Sequence, residues 1–169
     1  KINIALLRKR LQTPNFKLEK FCIGKISKTG VVMSYLDGIA ENPTLNEMRS
    51  RLEKIDIDAI PDSGYIEQLV EDDPFSPFPQ IEATERPDSC VKALSNGRLV
   101  ILVEGSPFAL IAPTVFFDLL TDPEDFNIRF YFASFVRILR YLSFLVALLG
   151  PSFYIALTTY HHEMIPTEL

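Results

Sequence analysis

Tyr141–Tyr160, YLSFLVALLGPSFYIALTTY, runs from one tyrosine to the other without a charged residue. At about 1.5 Å of rise per residue, about twenty helical residues cover roughly 30 Å, the thickness of a bilayer's hydrocarbon core. The stretch predicts a membrane span and divides the chain into a membrane part and a polar part upstream. The preceding RFYFASFVRILR (Arg129–Arg140) can extend the helix. A span begun at Phe130, however, would carry Arg137 and Arg140 toward the lipid centre, where each costs about 2.5 to 3.5 kcal/mol. Both guanidiniums are therefore expected to snorkel to the interface beside Tyr141, making Arg137, Arg140 and Tyr141 the membrane-interface anchors. Arg129, Arg137 and Arg140 flank one end of the span and His161, His162 and Glu163 follow the other. Such an asymmetry keeps the arginine end, and the module before it, on the cytoplasmic side of a cell membrane. The alternative is a buried core helix of a larger protein, but such helices are usually shorter and keep a polar face.

The organisation expected is a soluble α/β module over residues 1–127, followed over 128–169 by a juxtamembrane segment and the span at about 141–160. The chain begins at Lys1 and stops soon after the span, as a piece of a longer protein would. Its net charge of -5 conceals a segregation, with residues 1–28 rich in Lys and Arg and residues 56–88 holding many acids and only Arg86 as a base. An acidic face disfavours nucleic acid as the partner, and solvated surface explains both runs equally well. The two cysteines, Cys22 and Cys90, fit neither a metal spacing nor a disulfide framework.

In chain order, residues 2–11 place Ile4, Leu7 and Leu11 on one helical face, ended by Thr13-Pro14-Asn15. Phe16–Lys25 alternates as a half-exposed strand does, the Lys28-Thr29-Gly30 turn follows, and Val31–Leu36 is a buried-strand candidate. Asn42-Pro43 offers an N-cap and a proline at the first helical position, ahead of Leu45, Met48, Leu52 and Ile55 at helical spacing. Asp56–Ile60 predicts a short strand, and Asp62 or Ser63 caps a helix through Tyr65, Ile66, Leu69 and Val70. PFSPFP (Pro74–Pro79) cannot donate a ladder bond at each proline, so it is a rigid, extended connection. Gln80–Arg86 returns as a strand, Pro87–Ser95 is a helix, and Asn96-Gly97 supplies a left-handed stop. RLVILVE (Arg98–Glu104) is the strongest strand in the chain and pairs as a hairpin with Phe108–Ala112. From Pro113 an aromatic helical turn and loop lead to the membrane helix. Strands alternating with helices make the fold class α/β: a mixed-sheet module of two or three layers followed by a transmembrane helix.

Chemistry-bearing constellations are scarce. The only histidines, His161 and His162, lie beyond the span, so no Ser-His-Asp or Cys-His arrangement forms in the module. Adjacent side chains on a helix diverge, which disfavours a metal held by His161, His162 and Glu163. The seven glycines make no phosphate-binding loop. Asp56, Asp58 and Asp62 are explained by turns and caps. The chain thus points to no catalytic residue, no metal and no cofactor. Gly150-Pro151 at mid-span is more informative, because proline removes a helical bond and crowds the carbonyl of Ala147. A kink or break is expected there, either as a tolerated structural feature or as a pore or hinge element. Ser143, Ala147, Gly150, Ser152, Ala156, Thr158 and Thr159 suit close packing against other helices.

DSGYIEQLVEDDPFSPFPQIEATERPD (Asp62–Asp88), GRLVILVEGSPFALIAP (Gly97–Pro113), DPEDF (Asp122–Phe126), RILRYLSF (Arg137–Phe144) and HHEMIPTEL (His161–Leu169) together resemble the A subunit of bacterial spore nutrient-germinant receptors, the GerA family. The chain departs from the family pattern at Glu41, an extra residue in the helix entry, and at His162, where the family has proline. The resemblance implies a membrane subunit, in the inner membrane of dormant spores, that couples nutrient sensing to ion release and the start of germination. It implies a transporter-like B subunit and a lipoprotein C subunit as partners, contact with membrane lipid, a homo-oligomeric ion-conducting assembly, and no enzymatic activity. This chain would be the second α/β subdomain of the soluble region plus the first span. The expected docking surface is the acidic helix and rigid loop, with Tyr65, Glu67, Phe75, Phe78, Glu85 and Arg86 as candidates. Aromatics that merely close the core are its bland counterpart. The rival function is a membrane-anchored α/β module that itself binds a small solute.

Overall fold

The computed structural model describes residues 4–73, 76, 78–120 and 128–160. The elements follow in the order α1 (Ile4–Arg10), β1 (Phe16–Ile23), β2 (Thr29–Leu36), α2 (Asn42–Lys54), α3 (Ser63–Val70), β3 (Glu82–Thr84), α4 (Pro87–Ser95), β4 (Leu99–Val103), β5 (Ala109–Ala112), α5 (Phe116–Leu119) and α6 (Phe130–Tyr160). They form two compact units, Lys1–Val115 and Phe116–Leu169. The first holds the whole sheet and α1 to α4, and the second holds α5 and α6.

The sheet of the first unit runs β1-β2-β4-β5-β3. Every neighbouring pair is antiparallel, so the mixture lies in its helices and strands and not in strand direction. All five residues of β4 are buried, because side chains on both faces of a central strand must be covered. Leu99, Ile101 and Val103 point to one face and meet Leu45, Met48 and Leu52 of α2 and Ile66 and Val70 of α3. Val100 and Leu102 point to the other and meet Leu7 of α1 and Cys90, Ala93 and Leu94 of α4. The result is three layers, with α2 burying the stripe that its spacing predicts, whereas of the α3 run Tyr65, Ile66, Leu69 and Val70 only Ile66 and Val70 are buried.

The β4–β5 hairpin is as the sequence predicts, in the register Leu99↔Ala112 to Leu102↔Ala109. Gly97 takes φ +81°, the left-handed stop expected after α4. A Cβ there would lie 2.8 Å from the carbonyl oxygen of Ile39, so space and conformation both require glycine. Three local expectations are corrected. Asp56–Ile60 is not a strand; Ile57 and Asp58 accept from the backbone N–H groups of Lys25 (3.0 Å) and Ile26 (2.8 Å) in the turn after β1. The N-cap of α2 is Glu41, with Asn42 already helical and no side-chain cap bond. Gly30 lies within β2, and its N–H donates to the Glu104 carboxylate at 3.3 Å.

One polar clamp fixes α2 on the sheet. Arg49 donates to both oxygens of Glu19 on β1, at 2.7 and 2.8 Å, and the Tyr35 hydroxyl on β2 donates to the same carboxylate at 2.8 Å. The Arg49 bonds, set against the cost of burial and helped by Tyr35, hold the Glu19 carboxyl below its ordinary value of 4.5. A depressed carboxylate adds stability that is fully present above its unfolded pKa and is lost as pH falls through the folded one. Arg49→Leu should therefore lower stability near pH 7 by about 1 kcal/mol, a melting shift of roughly 4 °C, for a partly exposed bidentate pair. Melting curves followed by circular dichroism should show this deficit shrinking below about pH 4.5. A deficit unchanged at low pH would assign the loss to packing of the arginine stem.

Candidate functional site

α3 exposes its outer face because only Ser63, Ile66 and Val70 point at the sheet. Tyr65 is 51% exposed on that outer face, next to a similarly exposed Leu69. Glu67 is half-buried, and burial, followed by the charge of Glu71, pushes its carboxyl up. Both ends of the helix are fastened. At its start the Ser63 and Ser106 hydroxyls lie 2.9 Å apart, and a bond from Ser106 with another from the Ser63 backbone draws the Asp62 carboxyl down. At its end Arg51 of α2 donates to the Val70 carbonyl at 2.5 Å and to the carboxylates of Glu47 and Asp72.

The loop that follows is tied back at its base. Gln80 accepts from the Asp72 backbone N–H at 2.7 Å and donates to the Asp73 carbonyl at 3.4 Å. Within it, Ser76 Oγ accepts from Phe78 N–H and donates to the Phe78 carbonyl. The Phe78 ring is 53% exposed, as a docking residue requires. Phe75, the other loop aromatic, lies outside the described residues. Glu85 is exposed just after the edge strand β3, and Arg86 precedes α4, its guanidinium 3.2 Å from Asp88 and its backbone N–H on Thr84 Oγ1 at 3.1 Å. The structure places Tyr65 and Glu67 on the helix of one sheet face and Arg86 at the entry to the helix of the other.

Sequence reading missed a groove on the face shared by α1 and α4. Those helices cover one end of the sheet and leave the other open, where Lys20, Cys22, Gly30, Val32, Leu102 and Glu104 line a groove of about 710 Å³. Period-two alternation puts these even-numbered residues on one face, but strand order, a non-local property, makes them neighbours: Cys22 pairs with Gly30 and Val32 with Leu102. The missing side chain of Gly30 is what lets Glu104 fold over β2.

In the second unit α6 is 31 residues long, about 46 Å. It begins at Phe130 and stays helical through Gly150-Pro151, so of the kink or break expected at the proline the helix does not take the break. Gly150 is half-buried and Pro151 exposed. Arg137, Arg140 and Tyr141 fall on one stripe with Ala133 and Phe144, the more covered side of the helix. Arg140 donates to the Leu120 carbonyl at 2.8 Å, and Tyr141 meets the Phe117 ring edge to face at 6.3 Å. The His161, His162 and Glu163 group lies outside the described residues.

All of the chain, residues 1–169, matches the family model described as Bacillus/Clostridium GerA spore germination protein. The chain belongs to the GerA family. It is 46% identical over 167 residues to spore germination protein KA of Bacillus subtilis (strain 168), covering 99% of this chain and 31% of that protein. It is 42% identical over 169 residues to the uncharacterized membrane protein YfkQ of the same organism, covering 100% of this chain and 33% of that protein. The crystal structure of the N-terminal domain of the A subunit of the Bacillus megaterium spore germinant receptor GerK3 matches with 48% identity and a TM-score of 0.53, covering 67% of this chain and 90% of that one. This GerA-family chain spans about a third of the length of the curated relatives it matches.

The two cysteines differ in reactivity. Cys90 is fully buried, and burial, with Glu82 and Asp88, pushes its thiol up to about 12, whereas Cys22 is exposed. A thiol reagent should modify Cys22 in the folded protein within minutes and Cys90 only after unfolding, because the thiolate is the reactive form. Counting modified thiols before and after denaturant measures this, and rapid modification persisting in Cys22→Ser would overturn it.

Proposed function

We propose that this chain is part of the A subunit of a spore germinant receptor, joining a soluble α/β module to the subunit's first membrane span. The observation that carries this reading is the family match over all 169 residues, supported by the likeness of the α/β unit to an A-subunit domain of a germinant receptor. The apolar, uncharged half of α6, Tyr141–Tyr160, supplies the span. In this reading the protein sits in the inner spore membrane with the α/β unit on the cytoplasmic side, beside a transporter-like B subunit and a lipoprotein C subunit. Several copies assemble, and the complex couples nutrient sensing to ion release. The exposed Tyr65 and Phe78 are its docking residues, carried on a helix and a loop whose bases are fixed by Arg51 and Gln80. Gly150 and Pro151 are its candidate pore or hinge residues.

The test is nutrient-triggered cation release from spores lacking the gene, compared with spores carrying it back. Loss of release for a particular nutrient, with recovery on complementation, is the expected result, and Phe78→Ala should slow release without lowering the amount of protein. Unaltered release across a broad nutrient panel, with redundant receptors also removed, would overturn the reading.

The groove over β1, β2 and β4 favours a second reading, in which the module itself holds a small solute. Its volume lies in the range of ligand pockets, about 300 to 1,000 Å³, and Lys20 and Glu104 offer opposite charges beside an apolar floor, as a small zwitterion requires. A solute seated there should raise the melting temperature of residues 1–127 and protect Cys22 from modification. Neither effect across a panel of amino acids would exclude this second reading.

A further inference from the structure

The short helix α5 has a role that the membrane span alone does not give it. Its ring contacts run antiparallel along α6: Phe116 lies 5.5 Å from Phe144, and Phe117 lies 6.3 Å from Tyr141. Leu120, immediately after α5, receives the Arg140 guanidinium on its carbonyl at 2.8 Å. The chain therefore folds back beside α6 at the level where the apolar stretch begins, and there it presents aromatic rings. Phe117 is still 64% exposed after these contacts, and Phe116 is exposed as well. On α6 the neighbouring Leu142 and Leu145 are also exposed. A patch of this kind, continuous with a membrane span and built from aromatic rings at its start, fits the boundary between headgroups and acyl chains.

We propose that α5 is a membrane-interface element whose partner is lipid. In this inference, which rests on α6 spanning the membrane, Phe116 and Phe117 enter the headgroup and acyl boundary, to a depth of about 5–10 Å. Arg140 then places one of its N–H donors on the Leu120 carbonyl, just after α5. That bond has two consequences. It neutralises a desolvation problem, since the last carbonyls of a helix lack intrahelical donors and carry partial negative charge. It also fixes α5 to the span, so that the position of one sets the position of the other. Arg140 is thus a positioning residue for α5 as well as an interface anchor.

The chain contains no tryptophan, so a single introduced indole reports on one site alone. The experiment places the 169-residue chain in vesicles of phosphatidylcholine and phosphatidylglycerol. These vesicles contain lipids brominated either near the carbonyl end or deep in the acyl chain. Three variants are compared: Phe117→Trp, Leu148→Trp within the span, and Tyr65→Trp on the soluble unit. Phe117→Trp should lose emission mainly to the shallow bromines, Leu148→Trp mainly to the deep ones, and Tyr65→Trp to neither while remaining open to aqueous iodide. Adding Arg140→Gln to Phe117→Trp should reduce the shallow quenching and raise quenching by iodide. If Leu148→Trp is quenched by lipid while Phe117→Trp behaves like Tyr65→Trp, the interface role of α5 falls and the span stands. If Phe117→Trp is shielded from both bromine and iodide, protein covers the patch and the lipid assignment is overturned. If Leu148→Trp is also untouched by bromine, the span reading fails with it. Quenching unchanged by Arg140→Gln would remove Arg140 from the positioning role.

Discussion

The burial of β4 on both faces is the constraint from which the α/β unit follows. A strand reading Leu99-Val100-Ile101-Leu102-Val103 cannot turn either face to water, and at about 25 cal/mol per Å² each exposed side chain would cost on the order of 2 kcal/mol. The chain must therefore place strands on both sides of β4 and helices above and below it. β2 and β5 supply the strands, α2 and α3 cover one face, and α1 and α4 cover the other. The outer strands are built differently. β1 fully buries only its end residues, Phe16 and Ile23, and β3 is kept to three residues and followed closely by Pro87, which limits pairing with another chain.

Apolar burial holds these layers together but does not orient them, since it has no direction. Orientation comes from a few charged and hydroxyl side chains. Arg49 locates α2 over β1 and β2 through Glu19 and Tyr35, and Arg51, two residues on, locates α3 through the Val70 carbonyl. Inside the other face, the Ser34 hydroxyl donates to the Val100 carbonyl at 2.8 Å, so a fully buried polar group is satisfied across the β2–β4 pair. Two arginines on α2, pointing to different sides of the helix, thus fix both the helix on the sheet and the base of the proline-rich loop. Phe78 is presented from a defined base, which is what a docking residue needs if little ordering is left to be done on binding.

What could be read from the sequence was local. The β4–β5 hairpin, the glycine stop at Gly97, the helical stripe of Leu45, Met48 and Leu52 and the outward face of Tyr65 each depend on residues a few positions apart. What was missed depends on strand order or on helix-to-sheet distances. Arg49 has Glu53 as its nearest helical acid, yet it bonds to Glu19, thirty residues away. Gly30 looked like part of a turn because its neighbours are turn formers, whereas it lies within β2 beside the Glu104 carboxylate. The Asp56–Ile60 segment has strand-like composition, but it uses its carbonyls on a turn and Pro61 gives it no further donor. The groove beside Cys22 was invisible for the same reason: it exists because two helices cover only part of a face. The candidate docking residues were chosen by chemistry, and of the two loop aromatics Phe78 is the one whose exposure the structure describes.

The second unit poses a different problem of matching lengths. A helix of 31 residues is about 46 Å long, against roughly 30 Å of hydrocarbon, so in the reading proposed above some three turns lie outside the lipid core or the helix tilts strongly. Arg137 and Arg140 decide which turns those are, because they can leave water only with a partner, and Arg140 has one in the Leu120 carbonyl. Farther along, Thr158 donates to the Tyr154 and Ile155 carbonyls at 3.0 and 3.1 Å, which lets a hydroxyl enter an apolar setting without an unmet bond. Between these points the helix is continuous through Pro151.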